Sequence, residues 1–333
     1  MNIETYSEWL RRQGYHVLQT ASSYWFNAGP KVLQAFPYDR LIQPSREELR
    51  HLTLSKGNIA ARYSMPFNSV DGMISYHVVL SGNYSIEMLR PQARNGIRRG
   101  LENCQVQPIS FERLAKDGWS LQQDTLDRQG RTRSMSEDQW KRLCLSAQDL
   151  PGFEAWAAIA GGELASSIII YRIGDTYYVP YAQSHRKYLG LHVNNALFYT
   201  ASREMLSRDG VQSIFYSLHP LDAPESVNEF KFRMGFMARP VRQKIVFNPL
   251  IQPFATKTVS KLMKQFLKLD PDNPFLNKAE GMLRYHLLGK QPISEQPCPN
   301  CIDEYLAKYM GTPMSEPRKK DLFVRIQEEH GSQ

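Results

Sequence analysis

The stretch Ala155-Trp-Ala-Ala-Ile-Ala-Gly-Gly-Glu-Leu-Ala-Ser-Ser-Ile-Ile-Ile-Tyr-Arg-Ile-Gly-Asp-Thr-Tyr-Tyr-Val-Pro-Tyr-Ala-Gln-Ser184 contains three apolar runs cut by Gly161-Gly162 and Gly174-Asp175. Runs of this kind predict successive strands over Ala155–Ala160, Glu163–Ile173 and Thr176–Ser184. Two-residue turns leave room only for antiparallel neighbours, since a parallel return needs a long crossover. Beyond Ser184 the period lengthens. Val193, Leu197, Ala201 and Met205 recur every four residues and predict a helix from about Leu191 to Arg208, closed by Gly210. Val211–Leu218 reads as a strand, Asp222–Met234 as a helix, and Val241–Phe247, after Pro240, as a last strand. Meander, helix, strand, helix, strand is a mixed α+β order.

The helix from Asp222 carries its own punctuation. Asp222 suits the cap, Pro224 the first turn, and Glu225 the capping-box position. Val227, Phe230 and Met234 fall on one stripe, and Gly235 ends the helix in the left-handed region. Lys231 borders that stripe. Its methylenes suit the rim of a core whether its ammonium faces water or a site.

Upstream, Tyr24–Phe36, Gly57–Met65 and Met73–Leu80 read as strands and Ser45–Leu54 as a capped helix. From Ser85 a further helix aligns Ile86, Leu89, Ala93, Ile97 and Leu101, with Arg90, Arg94 and Arg98 beside them and Arg99 adjoining. Such a row is either a solvated face or a ridge that binds phosphate or carboxylate. The polar run Asp127–Ser134 reads as a connector, and Ser136–Ala147 restarts as a helix. The units expected are therefore residues 1–127, 128–250 and a helical C-terminal extension, 251–333, with helices over Thr258–Leu269 and Phe275–Leu288 and a charged tail from Ser315.

A length of 333 residues, 42% of them hydrophobic, suits more than one core, and a formal charge of +8 favours anionic partners. The first residues lack a secretory pattern, and the apolar region Ala155–Tyr171 is too interrupted to span a bilayer of about 30 Å. A cytoplasmic protein with no membrane span is expected. Of four cysteines, Cys298 and Cys301 form a CxxC, half of a zinc site, with His286 upstream and no fourth ligand at a familiar spacing. No metal is expected.

These residues resemble the GNAT superfamily of acyltransferases, specifically its FemAB-like branch of tandem GNAT-like domains. The resemblance covers roughly residues 20–250 and rests on Phe230-Lys231 with Gly235, on Leu191–Phe198 opening a helix, and on Leu89–Arg99. It implies two GNAT-like domains, each a mixed, mostly antiparallel sheet flanked by helices. It implies that the strands Thr176–Ser184 and Val211–Leu218 splay to admit a donor, with a bulge near Tyr181–Ser184. Donor contacts then fall to Tyr181, Gln183, Ser184, Arg186, Lys187, Gly190, Leu191 and Asn194. Lys231 is the matching catalytic position and would stabilise a tetrahedral oxyanion, with His219 and Tyr216 as further catalytic candidates. Arg90, Arg94, Arg98, Glu229 and Phe230 are the acceptor-side candidates.

The implied activity is transfer of an acyl group from acyl-CoA or an acyl carrier to a small-molecule amine. A second reading is a FemAB-like transferase using aminoacyl-tRNA on a peptidoglycan precursor, although no long charged helical hairpin for RNA is present. A third is a GNAT-like binding module without turnover, because the turn Arg186–His192 places its glycine one position later than the superfamily pattern. Oligomeric state is open.

Overall fold

In the computed structural model, which describes residues 2–29, 31–131, 135–221, 228–271 and 273–311, the chain order begins with α1 (Ile3–Arg12), β1 (Val17–Gln19), β2 (Tyr24–Gly29) and β3 (Val32–Phe36). It continues through α2 (Arg46–Leu54), β4 (Ala60–Met65), β5 (Met73–Ser81), α3 (Pro91–Asn103), β6 (Gln105–Ile109), α4 (Phe111–Asp117), α5 (Trp119–Arg128) and α6 (Glu137–Leu145). The meander β7 (Phe153–Ala160), β8 (Glu163–Ile173) and β9 (Thr176–Ser184) follows, antiparallel throughout. Then come α7 (Val193–Ser207), β10 (Ser213–Leu218), α8 (Glu229–Arg233), β11 (Met237–Phe247), α9 (Lys257–Leu269), α10 (Pro274–Leu288) and α11 (Asp303–Met310).

The strands join in one mixed sheet, ordered β1-β2-β3-β4-β11-β5-β10-β9-β8-β7-β6. Every neighbouring pair is antiparallel except β3/β4 and β9/β10. The halves of the chain share this sheet: β11 inserts between β4 and β5, β10 pairs with β5, and β6 pairs with β7.

Several boundaries shift for local reasons. Tyr24–Phe36 folds as the two strands β2 and β3, with Lys31 in the left-handed region. The helix expected from Ser85 starts at Pro91, which lacks an amide hydrogen and suits a first helical position. The residue before it, Arg90, is held extended. Ile86–Met88 makes a single 3₁₀ turn, and Leu101 is exposed. Strand β11 starts at Met237 and runs through Pro240, because β4 reaches only as far as Arg242 and the proline lies where one side of the strand is unpaired. Helices α1, α4 and α5 and strand β6 fill segments without a sequence assignment. The roles expected of Asp222, Pro224, Glu225 and Val227, the end of the connector (132–134), and the tail from Ser315 lie outside the described residues.

Alternation along the strands feeds a core on each face of the sheet. Ile168, Ile170, Val179 and Ile214 pack with Ile97 of α3 and Val193 and Leu197 of α7. Ile169, Tyr171, Tyr178 and Phe215 pack with Tyr6 and Trp9 of α1, Leu114 of α4 and Trp140 of α6. The Trp9 indole donates to the Leu143 carbonyl at 3.1 Å, so the first helix docks on the middle of the chain.

Helices α3 and α7 touch through small residues. A Cβ at Gly100 would stand 2.5 Å from the His192 carbonyl oxygen and 2.9 Å from the Ala196 Cβ. Gly100→Ala is therefore expected to lower stability by about 1–3 kcal/mol through forced separation of the helices, outweighing the roughly 1 kcal/mol that alanine gains inside a helix. Chemical denaturation of the purified variant measures this; an unchanged midpoint would show that the helices have room to part.

Candidate functional site

The centre of the sheet is open. Strands β9 and β10 pair in parallel only at Thr176/Ser213, Tyr177/Ile214 and Tyr178/Phe215, although β9 continues to Ser184 and β10 to Leu218. Two bulges accompany the parting. On β9, Val179 and Pro180 together oppose Ile170 of β8, and on β10 the register against β5 slips at Tyr216. The β9 bulge lies just before the Tyr181–Ser184 segment expected to carry it, at a proline that has no amide hydrogen for a ladder.

A cavity of about 230 Å³ occupies the gap. Tyr178–Tyr181 and Phe215–Leu218 form its strand walls, and Tyr6 and Trp9 of α1 close it below the sheet. Among the described residues no charged side chain lines it. The Tyr6 and Tyr38 hydroxyls pair at 2.9 Å, whereas the buried Tyr171 hydroxyl makes no hydrogen bond among the described residues.

Lys231 does not line the cavity but is bound to its β10 wall, through Ser217 and the Tyr216 ring. Helix α8 ends in a Schellman motif, with the Phe236 amide donating to the Lys231 carbonyl and the Gly235 amide to that of Phe232, and Gly235 has φ +90°. This holds the lysine backbone in place. Its Nζ donates to Ser217 Oγ at 3.0 Å and to Asn228 Oδ1 at 2.8 Å, and lies 4.2 Å from the centre of the Tyr216 ring. Both acceptors are neutral. Burial lowers the Lys231 pKa to about 7. Two of the three ammonium hydrogens are used, which leaves one for a further acceptor.

Asn228 is the residue that sequence reasoning missed. It occupies the cap position of α8, yet its side chain makes no cap hydrogen bond and turns inward, accepting from Lys231 and donating to the Tyr76 hydroxyl at 2.8 Å. An asparagine three residues before the lysine, on the same helical face, was the available signal.

Tyr216 is brought to the site, stacked on Phe198 and edge-on to Phe236, and burial raises its hydroxyl pKa. Phe230 packs edge-on against Phe198, whereas Glu229 is exposed. His219 follows the end of β10 directly and reaches the Asn228 side of the cluster through Tyr76. Its ring stacks on Tyr76, its Nδ1 meets the Tyr285 hydroxyl at 3.0 Å, and burial, with Arg62 and Arg284 nearby, lowers its pKa to about 3. Such an imidazole is a weak base at neutral pH.

The donor-side residues divide. Tyr181 lines the cavity. Gln183 is buried and accepts from Ser167, and Ser184 has its backbone held by Thr125 and its hydroxyl contacted by Arg128 and Asn194. Arg186 is paired with Asp124 and Asp127, and Lys187 with Glu163. Both basic side chains of this turn therefore have carboxylate partners. Gly190 is exposed and Leu191 half-buried, in the 3₁₀ turn before α7. The amides at the start of α7 have no side-chain cap.

Arg90 and Arg98 are exposed and Arg94 is half-buried on α3, whose buried face packs toward α7. Cys298 and Cys301 are thiols that pack against the core near α11.

No protein-family model matches the chain, and no curated protein matches it by sequence. Among solved structures it is similar to FemX, with 10% identity, 75% of this chain and 93% of that one covered, and a TM-score of 0.51. It is also similar to L-PGS from Bacillus licheniformis, with 12% identity, 73% and 91% covered, and a TM-score of 0.47. A GCN5-related N-acetyltransferase from Kribbella flavida is 10% identical, with 75% and 96% covered and a TM-score of 0.43. The likeness to FemX is one of fold: a mixed, mostly antiparallel sheet flanked by helices.

Replacing Asn228 tests what sets the lysine pKa. Asn228→Asp puts a carboxylate where a neutral oxygen now accepts at 2.8 Å, which favours the charged amine. The Lys231 midpoint, followed by NMR of its Nζ against pH, is expected to rise by about one unit or more; an unmoved midpoint would show that the two groups are not coupled.

Proposed function

Starting from a GNAT-like, FemAB-like fold, we propose that this protein is an N-acyltransferase that moves an acyl group from an activated thioester or ester to an amine within the gap between β9 and β10. The single observation that carries this reading is Lys231: a lysine with its pKa lowered to about 7, fixed by two neutral acceptors, one of them Ser217 in the β10 wall of the cavity between the parted strands.

In the proposed reaction the amine nitrogen attacks the donor carbonyl and a C–N bond forms. The carbonyl oxygen takes up negative charge, which the remaining Lys231 hydrogen meets. The C–S or C–O bond to the carrier then breaks, the amine proton passes to solvent, and the leaving thiolate or alkoxide is protonated. Tyr216 supplies a ring face under the ammonium. Ser217 and Asn228 hold the ammonium in position, so little reorganisation is needed as charge develops.

Acyl-CoA or an acyl carrier fits this scheme as donor, with its phosphates at the uncapped start of α7 beside Gly190, Leu191 and Asn194. The amides rather than the Arg186 and Lys187 side chains would serve, since both side chains are paired. The uncharged aromatic cavity suits an apolar group on one of the substrates. An engineered cavity of roughly 150 Å³ holds benzene, so about 230 Å³ suits a group of about nine heavy atoms.

Mass spectrometry of amine products, after incubation with a panel of acyl-CoAs and charged tRNAs, tests the reading. Lys231→Ala is expected to remain folded and to lose about 10²–10³-fold in kcat, the scale of an oxyanion donor; transfer at the wild-type rate would remove Lys231 from the mechanism. Activity abolished by RNase would assign the donor to aminoacyl-tRNA.

The pH profile has a definite sign. The ammonium is the active form, so with an acceptor amine whose own pKa lies well below 7, kcat/KM is expected to fall as pH rises through about 7. A profile that rises through the same range would make Lys231 a base.

A further inference from the structure

Helix α9 reads Lys257-Thr-Val-Ser-Lys-Leu-Met-Lys-Gln-Phe-Leu-Lys-Leu269, with four lysines and no acid. Val259 and Met263 pack against Met282, Leu283 and their neighbours of α10, which fixes the inward face. At about 100° per residue, Leu262, Phe266 and Leu269 share an arc of about 60° beside that face. They are nonetheless 50%, 50% and 83% exposed. Lys257, Lys261, Lys264 and Lys268 fall on a second outward arc. Leu250, Phe254 and Phe275, close in sequence to the ends of the helix, are 76%, 68% and 58% exposed.

Single exposed apolar residues are ordinary. Here six of the sixteen exposed large hydrophobic residues fall within residues 250–275, beside a helix whose charges all have one sign. Among the described residues Lys257, Lys261 and Lys268 make no ion pair, and Lys264 reaches Glu280 only at 3.7 Å. An apolar stripe flanked by unneutralised lysines complements a surface that is apolar within and anionic at its boundary.

We propose that α9 lies on an anionic lipid bilayer, with Leu262, Phe266, Leu269 and Phe254 entering the headgroup–acyl boundary and the lysines meeting the phosphates. The contact is with one leaflet; no helix among the described residues is long and apolar enough to cross a membrane. Helix α10 carries α9 on one side and on another hydrogen-bonds His219 through Tyr285, so the docked face stands one helix away from the end of β10. This surface assignment is independent of the acyl-transfer reading.

Co-sedimentation of the full chain with vesicles of phosphatidylcholine, with and without phosphatidylglycerol, tests it. Binding is expected only with phosphatidylglycerol present, and raised salt weakens it because the lysine contribution is screened. Lys261→Glu combined with Lys268→Glu is expected to lower partitioning about tenfold or more. Leu262→Asp combined with Phe266→Asp should abolish binding with an unchanged thermal midpoint, since these side chains are half exposed. Failure to bind the anionic vesicles overturns the proposal, as does binding that the four substitutions leave unchanged. Sedimentation equilibrium covers the remaining occupant: a dimer lost on Phe266→Asp, with no vesicle binding, would assign the face to a second copy of this chain.

Discussion

Strands β9 and β10 part after Tyr178 and Phe215, and the remaining architecture is arranged around that parting. A sheet loses ladder hydrogen bonds wherever strands separate, so the gap needs a local cause and outside support. Bulges at Val179–Pro180 and Tyr216 supply the cause, one on each strand. Support comes from the flanks: β8 holds β9 from one side, and β5, inserted beside β11, holds β10 from the other. The chain is woven through its own sheet, with β11 between β4 and β5, so neither half can withdraw without dismantling the frame of the opening.

What stands at the opening differs electrically from what stands around it. Arg186, Lys187 and Arg208 each face a carboxylate; that partner is the main cause of the raised pKa of Arg186 and Arg208, and for Lys187 the Tyr188 hydroxyl comes first and Glu163 second. Among the described residues Lys231 meets an amide oxygen, a hydroxyl and a ring, and its pKa falls. The same residue class thus yields fixed structural cations in one place and a titratable amine in another, according to whether a carboxylate accompanies burial. The Asn228 side chain, diverted from capping α8 to holding this amine, and the Tyr76 hydroxyl behind it make the amine's position a property of the core.

The C-terminal helices connect this frame to the outside. Tyr285 and Arg284 of α10 bind His219 and the Leu221 carbonyl, fixing the chain as it leaves β10. Gly281 lets α10 approach closely, since a Cβ there would meet the Leu221 carbonyl oxygen at 2.6 Å. Helix α9 rests on α10 with an apolar stripe turned outward, an arrangement unlike a helix that serves only to cover a core.

The amino-acid sequence alone determined whatever depends on neighbours a few residues apart. The meander over residues 155–184, the glycine that closes α8 and the restart of a helix at Ser136 were all legible, because turns and stripes are short-range. The order of strands, the docking of α1 beneath the gap, the acids that neutralise Arg186 and Lys187, and the inward turn of Asn228 were decided only by tertiary structure. Each depends on contacts between residues far apart in the chain, such as Trp9 with Leu143 or Asn228 with Tyr76, and the identity of a distant partner leaves no periodic mark on the segment that receives it. The lowered pKa of Lys231 belongs with these: a lysine in a sequence is a cation, and only its burial in the folded chain makes it an amine poised near neutrality.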